Sequence, residues 1–182
     1  MLEFAPFPAA WIKLSIAMSS ADDPLSMPEV QQLGRLNETL LIKEAQGTKL
    51  FRAQQNPDDM LHHGFLMDEV RAASWLWVLG AYEVFRRAKN RRHGVIGAPE
   101  FNRLNEAISE IRIVLAKREA RGSNGKIRQL PAAILGADGA VGWAYWDRGG
   151  QRQLFFRAHF AALWIAAADS LLQAAKTTWP SE

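Results

Sequence analysis

Residues Trp75 to His93, WLWVLGAYEVFRRAKNRRH, constrain the fold more than any other stretch. Eleven residues, apolar or aromatic except for Gly80 and Glu83, run directly into Arg86, Arg87, Lys89, Arg91 and Arg92. Such a segment is buried along its length and cationic at its end. Leu66, Val70, Ala73, Trp77, Ala81, Val84 and Ala88 keep one helical face, and Trp75, Val78, Tyr82 and Phe85 keep a second. A helix that is apolar on two faces is sandwiched between neighbours. The pattern predicts a helix over about 65–92, ended by Gly94 and Gly97.

The remaining periodicities set elements around this rod. In WIKLSIAM, Ile12, Leu14, Ile16 and Met18 alternate with Lys13, Ser15 and Ala17, which predicts a strand over 11–18. Val30, Leu33, Asn37, Leu40 and Leu41 form a helical stripe from about Pro28 to Gln46, with Gly47 a candidate break. Asn56-Pro57 marks a boundary, and Asp58 and Asp59 suit the first turn of a short helix through His63. Phe101, Leu104, Ile108, Ile111 and Leu115 carry a helix from Pro99 to about Arg121. Ala132–Leu135, Val141–Trp146 and Gln153–Phe156 read as short extended pieces, with Asp147-Arg148-Gly149-Gly150 as a hairpin connection. A last helix spans about 157–177. Helices followed by a hairpin argue for an α+β fold, predominantly helical. The expectation is four or five helices with a small antiparallel sheet, made of the N-terminal strand and the late hairpin, in a single domain over residues 1–182.

Composition narrows the functional classes. With 48% apolar residues the chain can build a real core. The absence of Cys removes disulfides and thiolate chemistry. The longest apolar run, Phe160 to Ala168, is well short of the roughly 20 residues that span a bilayer, so no membrane partner is expected and the cytoplasm is the default location. Residues 86–128 hold twelve Lys or Arg against four Glu and no Asp, a balance of +8, whereas residues 1–85 hold six against eleven, a balance of −5. That asymmetry implies an anionic partner or pairing between the halves.

Candidate anion-binding residues are Arg86, Arg87, Lys89, Arg91 and Arg92, with Lys117, Arg118 and Arg121 near the end of the next helix. If the two groups converge, a nucleic-acid backbone is a fitting partner. Cations at a helix C-terminus also complement its dipole, worth about 0.3–1 kcal/mol each without any ligand. Trp75, Trp77, Tyr82, Trp143 and Trp146 are candidates for an apolar pocket or a homodimer face, with Trp146 on the opposite side of its strand from Trp143. His62 and His63, with Asp58, Asp59 and Glu69, read as solvated capping residues, because adjacent side chains on a helix diverge by about 100°. No metal and no cofactor is implied: there is no H-E-x-x-H, P-loop or dinucleotide fingerprint.

Arg87, five residues, then His93 resembles the R-x(4–6)-H motif of HEPN-type helical domains, over roughly residues 28–121. That resemblance implies a helical body serving either as a ribonuclease or toxin component or as a contact module. His93 would then be the acid/base residue, and an Arg would stabilise phosphate charge. Arg87 and His93 are six apart, about 240° around an ideal helix, so they would have to meet across a dimer or a bent helix end. Three functions follow from these readings: a non-enzymatic binding or interaction protein, self-associating as a dimer, with a basic surface for an anionic partner; a HEPN-like ribonuclease or toxin-type protein; and a small-molecule binder with an aromatic pocket.

Overall fold

Asn56 accepts the Asp59 amide at 2.9 Å through its side chain, and Pro57 needs no amide partner, so a helix starts there and runs without a break to Asn90. This is α3, Pro57–Asn90, in a computed structural model that describes residues 8–19, 23, 25–53, 56–91, 94–117, 120–121, 127–128, 131–147 and 150–176. Side chains at 116, 117, 120, 121, 127 and 128 fall outside that description. The other helices are α1, Ala9–Met18; α2, Ser26–Ala53; α4, Pro99–Lys117; α5, Arg157–Ala166; and α6, Ala168–Lys176. A 3-10 turn, Gly94–Gly97, links α3 to α4. The strands are β1, Ala120–Arg121; β2, Ile127–Arg128; β3, Ala132–Leu135; β4, Val141–Trp146; and β5, Arg152–Phe156. β1 and β2 form a two-stranded ribbon, and β3-β4-β5 an antiparallel sheet in that order.

The class is α+β, but the described residues form six α-helices, not four or five. The predicted N-terminal strand is α1. Its buried positions, Trp11, Leu14, Ser15, Ala17 and Met18, recur at three and four, whereas Ile12 and Ile16 of the period-two reading are exposed. Apolar residues sit at so many positions here that both periods fit. Packing against α2 and α6 selects the helix. The sheet takes its third strand from β3 instead. The short helix at 57–63 merges into α3 across Gly64. The break considered at Gly47 does not occur either: α2 continues through it, because the missing side chain makes room for Met67. The last predicted helix divides at Ala167 into α5 and α6.

Antiparallel α2 and α3 are the frame. The Trp77 indole donates to the Leu33 carbonyl at 2.8 Å, and near the far end Phe51 stacks on His63 at 5.5 Å. The core is aromatic. Trp164 meets Trp11 at 5.9 Å, Trp77 at 6.3 Å and Phe85 at 5.0 Å, and Phe160 bridges to Phe155 of β5 at 5.5 Å. The Trp164–Trp11 and Trp164–Trp77 pairs are edge-to-face, and such pairs contribute about 0.5–1.5 kcal/mol each beyond area burial. The sheet is tied to α2 at the β3–β4 turn, where Thr48 donates to the Asp138 carbonyl at 3.1 Å. Gly139 holds φ at +83° there.

Candidate functional site

The basic end of α3 meets the acidic amino-terminal half. Arg86 donates to Glu83 from Nε at 2.8 Å. Arg87 reaches across to Glu29 in the first turn of α2, with Nη1 to Oε1 at 3.0 Å. Arg91 lies 3.3 Å from the buried Asp23. The Glu83 hydrogen bond and charge push the Arg86 guanidinium further up. Lys89 is exposed. Arg92 and His93 lie outside the described residues, as does Arg118, and so do the side chains of Lys117 and Arg121. Three of the anion-binding candidates, Arg86, Arg87 and Arg91, each face a carboxylate of this chain. The Arg87–His93 pairing required by the HEPN resemblance also falls outside the described residues at His93.

The aromatic candidates divide into three places. Trp77 is wholly buried at the centre of the core, not in a pocket wall. Tyr82 is half-buried, with the Arg112 guanidinium 4.8 Å over its ring. Trp146, 36% exposed, ends β4. Trp75 and Trp143, by contrast, come together. α3 presents Asp68, Ala72 and Trp75 at spacings of four and three, and β4 presents Trp143 towards them. With Leu115, Pro131 and Ala133 they line a groove of about 560 Å³ between α3 and the sheet. Arg71 and Asp68, paired at 2.9 Å, are the ionisable groups of that lining. Next along β4, Tyr145 contacts Glu110 of α4 at 3.4 Å. Burial, reinforced by the Glu110 charge, pushes its phenol up to about 12.

Sequence reading missed one constellation. Arg157, fully buried at the start of α5, donates to Glu44 at 2.7 Å, to Ser74 at 3.2 Å and to the Asn37 side-chain oxygen. The second Glu44 oxygen accepts the Val141 amide of β4 at 2.9 Å. One guanidinium thus joins α2, α3 and α5, and its carboxylate extends the link to the sheet. The signal was present: Asn37 sits in the apolar stripe of α2 and Glu44 lies seven residues on, on the same face. Every partner is enclosed and each guanidinium nitrogen has an acceptor, as buried polar groups require.

The chain matches no family model, and neither the curated proteins nor the solved structures contain a significant match to it. Among the described residues, no helix is long and apolar enough to cross a membrane, and no three His, Asp or Glu side chains converge as a metal site would require.

Proposed function

We propose that the protein is a non-enzymatic binding protein whose groove between α3 and the sheet takes a flat apolar or aromatic group. The observation that carries this is the convergence of Trp75 and Trp143, from elements far apart in sequence, on one apolar recess. Its volume falls within the roughly 300–1,000 Å³ typical of small-molecule sites. The half-buried Trp75 indole offers a rigid face at low entropic cost, the buried Trp143 ring backs the recess, and the Asp68–Arg71 pair supplies polar anchoring in the lining. The test is a titration with indole and naphthalene fragments, followed through the Trp75 and Trp143 indole N–H resonances. Binding should move those two signals and leave buried Trp77 in place. Trp75→Ala and Trp143→Ala should each weaken binding about tenfold, the loss of about 1.4 kcal/mol. Fragments that move other indoles instead, or bind the variants equally well, would refute the assignment.

A further inference from the structure

A second cleft, of about 500 Å³, runs between α2 and α3 near the cationic end of α3. Glu29, Gln32, Leu33 and Leu36 recur at three and four along α2 and form one wall. Gly80, Glu83 and Arg87, spaced by three and four along α3, form the other with Arg86. At Gly80 the two walls come close, since a side chain there would start 2.9 Å from Leu33 Cδ2.

The lining has two chemistries. Leu33, Leu36 and Gly80 are apolar. Glu29, Glu83, Arg86 and Arg87 are charged and cancel as two pairs. A singly charged ligand would add an uncompensated charge to a partly desolvated space. A ligand carrying both signs would not. It can share each arginine and each carboxylate, and arginine has donors to spare. Arg87 is also within ion-pair range of a second carboxylate, its buried Nε lying 3.9 Å from Asp23 Oδ2.

We propose that this cleft binds a small zwitterion with an apolar body, the chemical class of apolar amino acids and short apolar peptides. The ligand carboxylate meets Arg86 and Arg87, its ammonium meets Glu29 and Glu83, and its side chains cover Leu33, Leu36 and Gly80. The assignment is independent of the Trp75–Trp143 groove.

The experiment is a titration of the full chain with the dipeptide Leu-Leu, read at the Gly80 backbone amide by NMR. Leu-Leu should shift that amide saturably and leave the Trp75 indole unmoved. N-acetyl-Leu-Leu and Leu-Leu amide, each lacking one charge, should bind at least tenfold more weakly to the same wild-type protein. Arg87→Gln and Glu83→Gln should each weaken Leu-Leu to a similar degree. Equal binding of the capped peptides would reduce the cleft to an apolar surface and overturn the proposal. Tighter binding of the acetylated form would make it a simple anion site and overturn it as well. No shift at Gly80 up to the solubility of Leu-Leu would also overturn it.

Discussion

Removing one partner of the Arg157–Glu44 pair should damage this protein far more than removing both. Arg157 is wholly enclosed, and among the described residues Glu44 is its only charged partner, at 2.7 Å. In Glu44→Leu the guanidinium keeps only the neutral oxygens of Asn37 and Ser74. In Arg157→Met the carboxylate keeps only the Val141 amide. Each variant leaves a buried charge without its counter-ion, which costs about 3–5 kcal/mol. For a domain of this size that lowers the melting temperature by about 6–20 °C. The double variant Glu44→Leu/Arg157→Met buries no charge. Its residual cost is the orphaned Val141 N–H and the Asn37 and Ser74 oxygens, groups that one or other single variant already orphans. The double variant should therefore be more stable than either single one, with a coupling of at least about 3 kcal/mol. Urea unfolding followed by tryptophan fluorescence measures all four corners of the cycle. Additive losses would refute the reasoning, because they would mean that the two groups act separately, each through its own contacts.

Two further predictions concern the sheet. Tyr145 has a folded pKa of about 12, against about 10 when unfolded, so its contribution is fully present below pH about 10 and is lost as pH rises towards 12. Urea midpoints measured from pH 9 to 12 should fall more steeply for wild type than for Tyr145→Phe, and parallel curves would contradict the assignment. Gly139 and Gly150 share a positive φ, +83° and +82°, but differ in surroundings. Gly150→Ala has open space and should cost only backbone strain, about 1–2 kcal/mol. Gly139→Ala would also drive its methyl into Thr48 and should cost clearly more in thermal unfolding. Equal melting temperatures for the two variants would show that the Thr48 contact is unimportant.

Local pattern was enough wherever one period dominated. The α3 rod, the α4 stripe from Phe101 to Leu115, the β4–β5 hairpin and the general α+β class were all legible, because these segments fit one spacing and are punctuated by Pro, Gly or Asn. It was insufficient at 11–18, where apolar residues satisfy both periods and only the neighbours α2 and α6 choose between them. At Gly47 a helix breaker by propensity is kept helical by Met67, a contact twenty residues away.

The site follows the same division. Residue types alone marked Trp75 and Trp143 as candidates and marked the α3 tip as cationic. Which tryptophans share a groove, and which sink into the core beside Trp164, depended on how β4 packs against α3. The charge imbalance between the two halves was written in the chain. Its outcome at Arg87 and Arg91, bonded to Glu29 and Asp23, came from folding α2 back along α3. Short-range spacing fixes which side chains share a face of one element. Partners separated by 58 or 113 positions are brought together only when burial of the common core offsets the entropy of closing the loops between them.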